Sequence, residues 1–189
     1  MNKKEIIGYL QSIIAIPMFA IAMPLSGVVS IPDLAQVNNI PTEQNSVIIT
    51  QEEVIRNEKA EKIETLLEKY KSPLVGYGMK FVTEAEKHGI DWRLLVAISG
   101  RESTFGIHSC HKVTFSFLGY GSCKMNFESV DDAIERVSTS LGGNDDKTDH
   151  YYEGKTTLQI LRKYNSVIPN YPQEVVRIMK MIDKDEPII

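Results

Sequence analysis

Asp91-Trp92-Arg93-Leu94-Leu95-Val96-Ala97-Ile98-Ser99-Gly100-Arg101-Glu102-Ser103-Thr104-Phe105-Gly106 is the stretch whose reading decides the fold. Leu94 to Ile98 is an unbroken apolar run, and with Trp92 it makes a helix apolar nearly all round, which belongs in a core. Asp91 stands where it can cap that helix, predicted to run from Trp92 toward Glu102. Glu102 follows Ile98 by four positions and Leu95 by seven, so it continues the buried stripe. A carboxylate there is costly unless it is paired or functional. Partial burial and the negative end of the helix dipole both favour its protonated form, the form a general acid needs. The structural alternative is an ion pair with Arg101 or Arg93, or a solvated helix end.

Outward from this helix the pattern stays helical. Leu74, Gly78, Phe81, Val82 and Ala85 fall at helical spacing before a stop at His88-Gly89. Residues 103–127 hold Gly106, Gly119, Gly121, several aromatics and both cysteines, which predicts a loop or a short β-hairpin. Ser129 opens a helix with Ile134, Val137 and Leu141 on one face, ended by Gly142-Gly143. A helix over Thr157 to Tyr164 follows. Pro172 then suits the first turn of a last helix with the stripe Val175, Ile178, Met179 and Ile182. Upstream, Thr50 and Glu53 form a capping box ahead of a Glu- and Lys-rich segment. Its apolar positions, Ile55, Ile63, Leu66, Leu67 and Tyr70, are sparse, so a largely solvated helix is expected, ended by Ser72-Pro73.

The N-terminus reads as a targeting segment. Lys3-Lys4 precedes a mostly apolar run from Ile6 to Val29, with small residues at Ala20, Ala22, Ser26 and Gly27. Pro17 and Pro24 interrupt it, which favours a cleaved signal over a membrane anchor; both readings export the rest. The expected organisation is a signal peptide or membrane anchor over 1–29, a linker over 30–49, a charged helix over 50–72, a mainly α domain over 73–183 and a tail over 184–189. The net charge of −4, without a basic block, argues against nucleic acid as a partner. In an oxidising compartment Cys110 and Cys123 are expected to form one disulfide, worth about 3 kcal/mol in the chain-entropy model. His108, Cys110, His111 and Cys123 match no standard zinc spacing, so no metal or other cofactor is expected. Ser103 lacks the Gly-x-Ser-x-Gly turn of a nucleophile elbow.

The Asp91–Gly106 stretch resembles the catalytic helix of lysozyme-like peptidoglycan hydrolases, the superfamily of soluble lytic transglycosylases, goose-type lysozymes and flagellar- and autolysin-type glucosaminidases. Their pattern is an apolar helix ending in Glu-Ser, then an aromatic or small residue and often Gly. The resemblance implies a lysozyme-like domain with Glu102 as general acid and Ser103 positioning sugar or acid. Phe115-Ser116-Phe117-Leu118-Gly119-Tyr120-Gly121 resembles the Asn-x-Phe-Gly-x-x loop of glucosaminidase-type domains, with Ser116 where Asn is usual and Leu118 where Phe is usual. Tyr164-Asn165 resembles the Tyr-Asn pair of lytic transglycosylases, whose Tyr hydroxyl hydrogen-bonds the catalytic Glu; Tyr171 and the helix after it fit the same layout. Substrate contacts from Ser103, Ser116, Tyr120, Tyr164 and Asn165 are what this implies. The likeness covers roughly residues 75–183.

An exported glycosidase acting on the β-1,4 bonds of peptidoglycan glycan strands is therefore expected, of transglycosylase, muramidase or glucosaminidase type. The alternative from another class is a non-catalytic glycan-binding or envelope scaffold protein. Glycoside cleavage commonly takes two carboxyl groups, and the sequence marks no second one; Asp149, Glu153 and Glu128 read as surface charges. Flat rings suit a sugar cleft. Tyr120, Phe117, Tyr151 and Tyr152 are candidates; for Phe117 core packing is the rival reading, and the glycines flanking Tyr120 favour exposure.

Overall fold

The computed structural model describes residues 50–184. They form helices α1 (Gln51–Lys69), α2 (Gly78–Lys87), α3 (Leu94–Ser103), α4 (Val130–Leu141), α5 (Asp149–Tyr152), α6 (Thr157–Tyr164) and α7 (Tyr171–Lys184), with no strand among the described residues. The chain is thus mainly α, as its periodicity predicts. The signal or anchor segment, the linker over 30–49 and the tail after Lys184 lie outside the described residues. Within those residues, no helix is long and apolar enough to cross a membrane.

α3 is the centre of the core. Leu94, Leu95, Val96, Ala97 and Ile98 are each at most 1% exposed, which fits an apolar run with no polar face to turn outward. α2 and α7 pack against it. α3 begins at Leu94, later than its sequence pattern suggests. Asp91 makes no N-cap bond to it; its carboxylate instead accepts the Arg93 backbone N–H at 3.0 Å and the Arg93 guanidinium at 2.9 and 2.6 Å. Burial alone would raise the Asp91 pKa. The Arg93 bonds outweigh it and hold that carboxyl below the usual range.

The first helix is largely solvated, as its composition predicts, but it docks firmly through one stripe. α1 buries Ala60, Ile63, Leu66 and Leu67, with Ile63 and Leu67 at 0% exposure, and packs on α2 and α7. These positions make one narrow stripe at helical spacing, enough to dock although most of the helix is charged. Glu64 completes the joint. Its carboxylate accepts the Gly76 and Gly78 backbone N–H groups at 2.8 and 2.5 Å, a favourable place for an anion at the start of α2. Gly78 is needed there, because a Cβ on it would lie 2.7 Å from the Ala60 carbonyl oxygen.

α4 is capped as expected, with Ser129 Oγ accepting the Asp132 N–H at 3.0 Å. α6 has the bounds its pattern predicts, and Thr156 and Gln159 form a capping box at its start. The short α5 is not foreseen, since four residues carry no readable period. Residues 104–129 take the loop form of the two expected alternatives. That excursion is closed at its base, where Phe127 N–H donates to the Thr114 carbonyl at 3.2 Å and Thr114 Oγ1 donates to the Phe127 carbonyl at 2.7 Å.

Candidate active site

Glu102 lies in the last turn of α3 and is half-buried. Both arginines that could neutralise it are engaged elsewhere. Arg101 forms an ion pair with Glu174 on α7, with its guanidinium 5.9 Å from the centre of the Tyr171 ring. Arg93 pairs with Asp91 and Asp183. Among the described residues Glu102 therefore has no cationic partner, which removes the ion-pair reading of this carboxylate.

The chain reverses sharply just beyond it. Thr104 and Phe105 have φ of 52° and 55°, followed by Gly106 at 87°. A left-handed conformation costs a non-glycine residue about 1–2 kcal/mol, and such residues persist only where surroundings fix them. Here Phe105 supplies the fixing. Its ring folds back on α3 over Gly100, where a Cβ would lie 2.6 Å from a ring carbon. The ring is 3% exposed and 4.5 Å, centre to centre, from Tyr70. Ser72 Oγ donates to the Phe105 carbonyl at 2.6 Å. Gly100, Thr104 and Phe105 thus end the helix directly after Glu102-Ser103.

Two side chains pin the central loop across this helix end. Ser103 Oγ donates to the Phe117 carbonyl at 2.6 Å and accepts the Gly106 N–H at 2.8 Å. Tyr164 Oη donates to the Leu118 carbonyl at 2.6 Å. Gly119 is thereby laid flat against the catalytic candidate. It has φ +69°, and a Cβ on it would lie 2.5 Å from Glu102 Oε2. Only glycine meets both demands, a left-handed backbone and an empty face for the carboxylate.

Behind Glu102 stands a wall of tyrosines. Tyr171 is fully buried, and its ring stacks on Tyr164 at 6.1 Å and 15°. Its hydroxyl is near enough to Glu102 to feel the carboxylate, but the pair does not reach hydrogen-bond distance and angle, and the hydroxyl has no other protein partner among the described residues. Burial first, then the Glu102 charge, push the Tyr171 phenol far above its ordinary range. Burial also raises Tyr164, with Tyr171 and then Glu102 adding to it. Tyr120 lies 6.1 Å from Tyr164, and its hydroxyl is 2.7 Å from Ser140 Oγ, which is 2.7 Å from Thr148 Oγ1. Tyr152 is buried, and its phenol is pushed up to about 12 by burial and then by Tyr120 and Tyr151. The phenols of Tyr152, Tyr164 and Tyr171 thus stay protonated, and Tyr171 is the one whose hydroxyl faces Glu102.

The structure relocates several residues expected to touch substrate. Ser103 and Ser116 are 3% and 2% exposed; the first is spent on the loop backbone, and the second has no hydrogen-bond partner among the described residues. Tyr164 bonds the Leu118 carbonyl, where the resemblance implies Glu102. Asn165 Oδ1 accepts the Val167 and Ile168 N–H groups at 3.2 and 3.0 Å and so shapes the turn into α7. Tyr120 is half-buried, with its hydroxyl turned to Ser140. All of these build the site from within. Phe117 belongs to the core at 2% exposure, whereas Tyr151 is 42% exposed. Gly119 and Tyr171 are site residues that sequence reasoning named within the two motifs but gave no role in the site. Cys110 and Cys123, the expected disulfide pair, are free thiols in this structure. They adjoin, however, and the hydrogen bond between them pushes Cys110 down and Cys123 up, with Glu102 a smaller contributor to Cys123. Joining them needs only the loss of their two hydrogens to an oxidant. Among the described residues no group of three or more His, Cys, Asp or Glu side chains is arranged to hold a metal ion.

No family model, curated protein or solved structure matches this chain. What the site does has to be argued from its own geometry.

The two inner tyrosines separate scaffold from chemistry. Tyr164→Phe should cost about 1–3 kcal/mol of stability, because it leaves the Leu118 carbonyl without its bond in an enclosed place. Tyr171→Phe should cost less, since its buried hydroxyl completes no hydrogen bond among the described residues and only approaches Glu102. Urea unfolding of the two variants checks this order. A larger loss for Tyr171→Phe would mean that its hydroxyl is bonded in solution.

Proposed function

We propose that this chain is an exported, lysozyme-like glycosidase that cleaves β-1,4 bonds in the glycan strands of peptidoglycan, with Glu102 as its general acid. The observation that carries the reading is a half-buried carboxylate without a cationic partner, set at the end of the most apolar helix and seated on a bare glycine. A structural glutamate would be paired or solvated. The Glu-Ser motif at this helix end adds the resemblance to the lysozyme-like superfamily. Export is proposed from the apolar N-terminal run, and the substrate from the resemblance.

A single-carboxylate route suits the site best. Glu102 is the carboxylate whose charge reaches Tyr164, Tyr171 and Cys123. Asp149 lies beside His150 at 3.4 Å, and Glu153 and Glu128 are exposed. In this route Glu102 gives its proton to the bridging oxygen as the glycosidic C–O bond breaks. The resulting carboxylate then takes a proton from a hydroxyl of the same sugar, whose oxygen closes on the anomeric carbon. No water is consumed, and the acid is regenerated. Tyr171, whose neutral hydroxyl lies beside Glu102, supplies a hydrogen bond as charge develops there.

Mass spectrometry of sacculi digested by the purified protein tests this. Soluble fragments with internal anhydro ends are expected, lighter by one water than fragments with reducing ends. Reducing ends would keep the glycosidase and replace the internal closure with attack by water. No soluble fragments from any sacculus preparation would remove the enzymatic reading in favour of a glycan-binding protein.

A further inference from the structure

Beside the tyrosine wall, α5 and α6 enclose an open hollow of about 430 Å³, lined by His150, Tyr151, Lys155, Gln159, Arg162 and Lys163. Its lining includes three permanent cations and no carboxylate, in a chain whose net charge is −4. Lys155, Arg162 and Lys163 are exposed, and among the described residues none of them forms an ion pair. Lys163 Nζ sits 3.5 Å from the centre of the Tyr151 ring, and the His150 ring lies 3.8 Å from it, tilted by 46°. Of the acids near in sequence, Asp149 lies against His150 and Glu153 is exposed outside the lining.

Like charges repel, so three exposed cations gathered around one hollow favour an anion there. Helix-dipole compensation accounts for Arg162 and Lys163 in the last turn of α6. It does not account for Lys155, which precedes that helix. The hollow is linked to the tyrosine wall through packing: Tyr151 contacts Tyr152 at 6.3 Å, and the buried Tyr152 phenol feels Tyr120.

We propose that this hollow is a subsite for the carboxylates of the peptide stems carried on the glycan. The inference rests on the proposed function and extends it to the part of the polymer that Glu102 does not touch. A concave site with an exposed aromatic and an amide, Gln159, suits a peptide end, which brings carboxylate, amide and methylene groups together. An anionic lipid surface would call for a flat or convex basic face on a chain of the opposite net charge.

The test uses the full chain carrying Glu102→Gln, so that binding is read without cleavage. Two ligands are compared, peptide-bearing glycan strands and strands stripped of peptides by an amidase. Peptide-bearing strands should bind about tenfold more tightly, a preference weakened by salt. Adding Lys155→Ala, Arg162→Ala and Lys163→Ala should abolish the preference. Adding Lys155→Arg and Lys163→Arg should keep it. Circular dichroism verifies that these exposed substitutions leave the helices formed. Equal affinity for the two strands, or a preference that survives the triple alanine variant, overturns the subsite and leaves the glycosidase reading standing. Tighter binding to anionic vesicles than to peptide-bearing strands overturns it as well. Failure to bind either strand, together with no cleavage by the unmodified protein, removes both readings.

Discussion

Glu102→Gln should leave the fold intact and slow the release of soluble fragments from sacculi by about 10²- to 10⁴-fold, the range a positioned proton donor contributes. The substitution keeps shape and removes the transferable proton. Its stability should hold because no cation loses a partner: Arg101 stays on Glu174, and Arg93 stays on Asp91 and Asp183. That separates this prediction from an ordinary ion-pair deletion, in which one charge is stranded and stability falls with activity. The measurement is turbidity loss of a sacculus suspension, read beside a thermal unfolding curve for each protein. Clearing at the unmodified rate would take Glu102 out of the mechanism. A large drop in melting temperature would instead give the carboxylate a structural role.

Gly119→Ala should be the most damaging change outside Glu102 itself. The left-handed backbone at φ +69° makes any Cβ cost about 1–2 kcal/mol. The added methyl would also sit 2.5 Å from Glu102 Oε2, so either the loop or the acid must move. A displacement of that size at a reacting group can cost about 10²-fold in rate. Gly121→Ala is the matched control. Its φ is +70°, but its Cβ would meet Met125 Cβ at 3.3 Å, away from the acid. The two variants should lose similar stability, and only Gly119→Ala should lose most of its activity. Equal activity in the pair would mean that Gly119 does not position Glu102.

The helices were legible wherever the local pattern and the tertiary contacts agreed. The Leu94–Ile98 run announces a core helix because burial on all sides needs no knowledge of its neighbours, and Ser129 marks its helix because capping is local. Glu102 stood out for the same reason, as a polar interruption of an apolar stripe. What depended on distant contacts stayed hidden. Gly119 reads as one more loop glycine until Ser103 and Tyr164 fasten its neighbours over α3. Tyr171 reads as a residue ahead of a helix-starting proline, and only the packing of α7 on α3 brings it to the acid. Ser103 and Asn165 were singled out by their motifs, but their side chains satisfy backbone groups of the loops that carry the site.

The docking of α1 bears on how this protein can be divided. The Ser72-Pro73 junction looks like a natural place to cut, since a proline follows a charged helix. Ile63 and Leu67, however, are sealed on the far side of that junction. A fragment starting at Leu74 would carry a raw greasy flank, prone to self-association. A piece that keeps this interior dry includes the Ala60–Leu67 stripe, and starting it at Thr50, whose side chain caps the first turn, keeps the helix whole.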